Sequence, residues 1–368
     1  RDLTEVLNFG EQYLASSFVK SNADNELSKI KIPLRVVLCD RSKNPNACGL
    51  VQLKETVERD LMYRSYFYRS STNPMMRESL KEIVNAASSQ VNLKKGDNVL
   101  DIGCNDGIML TYYPDYVNRI GIDPAQNIDR SFLDKSIQVA TDYFSKATAL
   151  KLSNNQPFKI VSSIAMFYDL DDPNSFVSEV KSVLAPDGVW CLQLSYLPTS
   201  LKTLNFYDVC HEHLEYYSLR VLDNLMKRHG LYIFDASLND VNGGSLRVLA
   251  ARNENKKPIS PNLQKLYQEE DAMKVYDVET YRDFARKIEN LKQVIQQYLK
   301  TEKSKGNSVI GLCASTKGNV LLQFFNIGKD LVPHISERNP EKVGLRTLGT
   351  DIELTSEEQA RKLDPASM

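Results

Sequence analysis

At 368 residues the chain exceeds one ordinary hydrophobic core, so two or three domains are expected. Its 42% hydrophobic and 25% charged residues are those of a globular protein, and a net charge of −1 excludes any general pull toward nucleic acid or an acidic membrane. No apolar run reaches the length of a membrane span, the start carries no secretory pattern, and six scattered cysteines make no disulfide framework, so a reducing, cytoplasmic setting is expected.

Residues 1–74 combine short strand-like pieces, LRVVLC (34–39) and GLVQL (49–53), with polar loops and weak helical periodicity. From residue 75 the texture changes. A helical stretch, MRESLKEIVNAASSQV, leads into the buried-strand run NVLDIG and a glycine-containing turn. Further strands are expected at NRIGID (118–123), IQVAT, FKIVSSIAMF (158–167), GVWCLQLSYL (188–197), LYIFDASL (231–238) and GSLRVLAAR (244–252). Helices fall between most of them, including SFVSEVKSVLAPDG with its Pro-Asp-Gly stop. The alternation predicts an α/β fold around an open, mostly parallel sheet. Residues 262–304 read as charged helix, and KGNSVIGLCASTKGNVLLQFF repeats the strand–loop–helix pattern, so a second, smaller α/β unit is expected at the C-terminal end. The division implied is 1–74, 75–254 and 255–368.

The stretch VLDIGCNDGIML (99–110) carries the strongest ligand signal. A strand ends at Asp101, Gly103 and Gly107 let the backbone pass close to a ligand, and a helix is expected to open near Ile108. The D-x-G-x-x-x-G spacing differs from the dinucleotide fingerprint, and Asp106 in the turn would repel a pyrophosphate. A ligand with a positive centre and no phosphate fits better, and S-adenosylmethionine (SAM) is one. Asn105 belongs to the same turn. Asp123, ending the next strand, is placed to accept ribose hydroxyls, and Asp142 and Tyr143 follow a third strand, where they could approach an adenine.

Two of the four histidines sit in DVCHEHLEYYSL (208–219), as His211 and His213 around Glu212. The segment follows the strand GVWCLQLSYL and is expected in a loop or helix start on the cofactor's side of the sheet. Zinc is one reading, although adjacent His, Glu and His cannot all face one ion from a regular element. A polar capping segment is a second. Acid–base chemistry is the third: imidazole titrates near neutrality, a neighbouring carboxylate can orient it, and methylating carbon requires removal of a proton beside a carbonyl.

Taken in order, DVCHEHLEYYSL, NGGSLRV (242–248), ASTKGNVLLQFFNIG (314–328) and ERNPEKVG (337–344) resemble the sugar C-methyltransferases, which move a methyl from SAM to C-3′ of nucleotide-linked 4-keto-deoxysugars. YRSSTNPMMRE (68–78) and NFGEQYLASSF (8–18) resemble that family's N-terminal signatures, so the resemblance spans nearly the whole chain. It implies a small N-terminal zinc-type domain, a central class I SAM-methyltransferase (Rossmann-like) domain and a C-terminal Rossmann-like α/β domain that closes over a sugar nucleotide. It also implies His213 as the base, with His211 beside it and Glu212 hydrogen bonding to sugar or imidazole, and Tyr68 or Tyr66 reaching the sugar. The partner implied is a small nucleotide sugar, with no nucleic acid and no membrane.

Two features depart from the family. Cys210 stands where a tyrosine is common, so one phenol that would hold the substrate is missing. The family's zinc takes two C-x-x-C pairs, whereas residues 1–74 hold only Cys39 and Cys48 and no histidine. Either the first pair lies upstream of Arg1, or the zinc is absent. In the C-terminal unit, Lys317, Gly318 and Asn319 at a helix start suit an anionic group such as a pyrophosphate, or form an ordinary strand-to-helix turn. NGGSLR either brings Asn242 and Arg247 near the nucleotide or is only the hairpin between two strands. Two rival functions remain: an O- or N-methyltransferase of a small metabolite, and a non-catalytic scaffold that binds sugar nucleotides.

Overall fold

A computed structural model of the chain describes residues 2–23, 26–64 and 67–367. The fold gathers into two compact units, one from Arg1–Val57, Leu201–Leu214 and Tyr276–Met368, the other from Glu58–Ser200 and Glu215–Val275. The first unit opens with β1 (Leu3–Gln12), β2 (Phe18–Val19), β3 (Ile32–Cys39) and β4 (Val51–Leu53). Strand β3 pairs antiparallel with β1 on one side and β4 on the other.

The second unit holds α1 (Arg59–Tyr63), α2 (Pro74–Ser88), β5 (Asn98–Ile102), β6 (Asn118–Ile122), β7 (Ile137–Ala140), α3 (Lys146–Leu152), β8 (Phe158–Ile164), α4 (Pro173–Val183) and β9 (Leu184–Ser195). After α5 (Leu197–Thr203) come β10 (Glu215–Tyr216), α6 (Leu219–Arg228), β11 (Leu231–Asn239), β12 (Ser245–Arg252) and α7 (Pro261–Met273). Seven strands form one sheet in the order β11-β12-β9-β8-β5-β6-β7. All neighbours from β9 to β7 are parallel, and β12 runs antiparallel to β9 and β11. The expected open, mostly parallel α/β sheet is what forms. Helix α2 shows why: Asn73 caps it, Pro74 starts it, and Leu80, Ile83, Val84 and Ala87 recur at helical spacing to bury one face. That face packs with Val99, Ile160 and Val189 from the central strands.

Two local expectations change. The turn after β5 opens only a short 3-10 segment, Ile108–Tyr112, not a full helix. Pro186-Asp187-Gly188 does not end helix α4, which stops at Val183; it lies inside β9, where the β8 pairing slips between Phe158 and Ile160. A Cβ at Gly188 would stand 2.8 Å from the Phe158 carbonyl oxygen, so the irregular pairing tolerates only glycine there.

The first unit resumes with α8 (Val278–Ser304), β13 (Gly311–Leu312), α9 (Thr316–Phe324), β14 (His334–Glu337), β15 (Arg346–Thr347), β16 (Glu353–Ser356) and α10 (Glu357–Lys362). Strands β13, β14 and β16 are parallel, and β15 joins β16 to β2 antiparallel. Phe9 of β1, Phe206, Phe324 at the end of α9 and Phe325 just past it form an aromatic cluster, with Phe206 and Phe325 stacked at 5.2 Å. This cluster anchors the start of the segment that carries the histidines.

Candidate active site

In the second unit the strand order reverses at β5 and β8, and open α/β sheets bind ligands beyond such a switch point. The turn after β5 is built for close approach. Gly107 adopts φ 81°, and a Cβ there would press within 2.7 Å of Leu133. Asn105, itself left-handed at φ 53°, donates its backbone N–H to Asp123 at 2.9 Å. Its side chain accepts from Ser70 N at 3.0 Å, while Asp106 accepts from Ser71 N at 2.9 Å. Residues 68–71 are thereby clamped onto the turn, and Tyr68 stands beside Asp106. Crowding around its ring and that carboxylate push the Tyr68 phenol up to about 12, although the residue is 43% exposed.

Three carboxylates, Asp101, Asp106 and Asp123, are buried around this turn. Burial, with Asp123 and Asp106 nearby, raises Asp101 to about 7 despite a 2.8 Å hydrogen bond from Ser162 Oγ. Burial also raises Asp123, against the N–H groups of Ala125 and Asn105 and the charge of Arg130. A cation entering this cradle relieves the excess negative charge, so these residues fit SAM. Arg130 was not among the expected site residues. Its guanidinium donates to Asn105 O at 2.9 Å and Asp123 at 3.2 Å, tying together the ends of β5 and β6. No motif spacing marks it.

Beyond β7, a cavity of about 520 Å³ is lined by Arg59, Asp60, Arg64, Asp142, Tyr143 and Phe144 among others. Tyr143 donates to Asp60 at 2.7 Å, and Arg59 and Arg64 cover its ring at 4.1 and 4.9 Å. Asp142 and Tyr143 therefore share one cavity.

In the first unit, residues 211–213 form a turn after the 3-10 segment Phe206–Asp208. His211 and Glu212 are 1% and 3% exposed, whereas 16% of the His213 side chain is open. His211 contacts the Ile32 carbonyl at 3.2 Å through Nε2, and Glu212 accepts from Ser16 N at 3.3 Å. Nδ1 of His213 donates to the Asp208 carbonyl at 2.8 Å, so the neutral ring keeps its lone pair on Nε2. Burial lowers the His213 pKa from its ordinary value, with Asp208 and Lys317 pulling in opposite directions. The ring is neutral, and therefore basic, at pH 7.

Lys317 lies near the start of α9 with Nζ 2.7 Å from Asp208 Oδ1. Gly318 N caps onto Ser315 Oγ at 3.0 Å, and buried Asn319 turns inward to donate to Ala15 O at 2.6 Å. These two serve the local fold, and only Lys317 of the three faces the histidine turn. Asn242, exposed at φ 57°, and the glycines after it form the hairpin between β11 and β12; Arg247 sits within β12 opposite Gln193 and Ser237. Tyr66 lies outside the described residues.

Three family models match in succession: "Putative zinc binding domain" over residues 1–63, "Methyltransferase domain" over 74–236 and "C-methyltransferase C-terminal domain" over 240–368. The C-methyltransferase NovU of Streptomyces niveus is 28% identical over 361 residues, covering 98% of this chain and 84% of that protein. Together the three models and this relative support a SAM-dependent C-methyltransferase. Solved structures similar to it include the plantazolicin methyltransferase BpumL in complex with SAH, at 16% identity and a TM-score of 0.38 over 49% of this chain and 85% of that one. Magnesium protoporphyrin IX methyltransferase (ChlM) from Synechocystis PCC 6803 matches at 14% and 0.38, over 49% and 88%.

This C-methyltransferase depends on SAM. Its zinc-type domain is a separate matter. Cys39 and Cys48 form no disulfide and are partly exposed, and no group of three or more metal-ligating side chains exists among the described residues. Two thiols are half a tetrahedral set, so the ligands described here do not fit zinc. Other contacts hold their loop: Asp40 accepts from Thr4 at 2.6 Å and Ser42 at 2.7 and 2.8 Å, and the Arg41 guanidinium lies 4.0 Å over the Tyr276 ring.

Proposed function

We propose that this enzyme methylates C-3′ of a nucleotide-linked 4-keto-deoxysugar through an enolate generated by His213. The observation that carries the reading is the His213 ring: partly open, neutral, and locked through Nδ1 so that Nε2 is the basic nitrogen. SAM, when bound, supplies an electrophilic methyl on a sulfonium. Methylating oxygen or nitrogen needs little beyond positioning, but carbon must first lose a proton, and a ketone beside C-3′ makes that proton removable by imidazole. Glu212 and His211 shape the turn, and Tyr68 serves the sugar. Asp101, Gly103, Asn105, Asp106, Gly107 and Asp123 hold the cofactor, and the cavity with Asp142 and Tyr143 is large enough for adenine. NovU, named a C-methyltransferase and matched almost end to end, supports the reading.

The test uses the full chain with a 4-keto-deoxysugar nucleotide in deuterated water. With SAM the product should carry a new C-3′ methyl, and with S-adenosylhomocysteine C-3′ should exchange deuterium without transfer. His213→Asn should slow exchange by about 10²–10⁴-fold while cofactor affinity stays. Neither transfer nor exchange across a range of nucleotides would reject the proposal, and retained transfer by His213→Asn would favour an O- or N-methyltransferase.

A further inference from the structure

Within the first unit, the ring nitrogen that locks His213 lies on Asp208 twice over. Nδ1 donates to the backbone carbonyl at 2.8 Å and stands 3.5 Å from carboxylate Oδ1. That carboxylate is buried, with 3% of its side chain exposed, and it also receives the Lys317 ammonium from α9 at 2.7 Å. The ammonium is at ion-pair distance yet poorly aligned for a hydrogen bond to Oδ1. Glu212 accepts from Ser16 N at 3.3 Å.

Resting on the proposed role of His213, we propose that Asp208 and Lys317 are its positioning pair: the Asp208 carbonyl fixes the tautomer, its carboxylate stabilises the imidazolium, and Lys317 opposes that charge. The physical reasoning is short. When Nε2 takes a proton from carbon, a full positive charge develops on a mostly buried ring, and nearby carboxylate is what makes such a charge tolerable. A lysine on the same oxygen offsets part of that help and keeps the ring neutral before substrate arrives. The charged groups acting on His213 include Asp208 and Glu212 from its own segment and Lys317 from α9.

The signs follow. Asp208→Asn keeps the backbone carbonyl, hence the tautomer, and removes only charge, so the His213 titration should move down by about one pH unit. Lys317→Met should move it up by a comparable amount. Both are read in the full-length protein by imidazole NMR, with the His213 signal assigned by its loss in His213→Asn. The substrate-free titration separates this proposal from the base itself: retained exchange by His213→Asn would sink the base while leaving the coupling standing. If neither substitution shifts the titration by more than a few tenths, or both shift it the same way, the positioning pair is overturned. Should Asp208→Asn fail to fold, judged by the dispersion of its amide NMR signals, Lys317→Met alone decides. In the exchange assay, Lys317→Arg should restore the wild-type acid limb.

Discussion

A carboxyl stripped of water and set beside two further carboxylates holds its proton longer than usual, and Asp101, at about 7, does so near physiological pH. A cation arriving next to it favours the ionised form, so SAM binding should expel a proton wherever Asp101 is still protonated. Affinity must then rise with pH through that value: titration calorimetry from pH 6 to 8 should show SAM binding about tenfold more tightly at the upper end. The observed heat should depend on the buffer's ionisation enthalpy at the lower end. Asp101→Asn should flatten the pH dependence, and a wild-type profile already flat would remove Asp101 from the cofactor's surroundings. The D-x-G-x-x-x-G spacing was legible because the backbone itself demands it. Arg130 and Asp208 were not, since a side chain that acts by reaching a neighbouring element leaves no periodic trace. Asp208 even lay inside the stretch first singled out for its histidines.

Elements were legible where burial is regular. Helix α2 repeats its apolar residues at helical spacing, and β5 is buried along its whole length, so both could be read directly. Strand β1 was missed for the opposite reason. Its pairing with β3 slips between Glu5 and Leu7 and again between Asn8 and Glu11, which breaks the two-residue alternation that marks a strand. Helix α6 shows a contact no local pattern reveals. Its first turn is capped at long range by Glu270 of α7, which accepts from Leu219 N at 2.5 Å, Arg220 N at 3.1 Å and Tyr196 Oη at 2.8 Å. Glu270 has no exposed surface, so truncation strips a buried acceptor from Leu219 N, Arg220 N and Tyr196 Oη. Glu270→Ala should therefore cost about 3 kcal/mol, and Glu270→Gln, which keeps an acceptor, about 1 kcal/mol. The urea midpoint of unfolding checks both; equal losses would mean that packing, not capping, is what Glu270 provides.

At the scale of the whole chain, the linear division at 74/75 and 254/255 and the division made by the fold are different objects. Residues 201–214 leave the methyltransferase sheet's sequence neighbourhood and pack with segments from both ends of the chain, as the Phe9, Phe206 and Phe325 cluster shows. Such grouping depends on contacts hundreds of residues apart, which composition and periodicity do not encode. It has a measurable consequence, because a ligand stabilises only the structure that must unfold to release it. Saturation with S-adenosylhomocysteine at about 100 times its Kd adds about 2.7 kcal/mol to whatever unfolds with the cofactor site. If the units open separately, amides of β5 and β6 should exchange with deuterium about 100-fold more slowly, while those of β1 and β3 keep their rates. Equal slowing in both sets would show that the interleaved segments weld the two units into one cooperative structure. In that case the histidine turn would gain rigidity each time the cofactor binds.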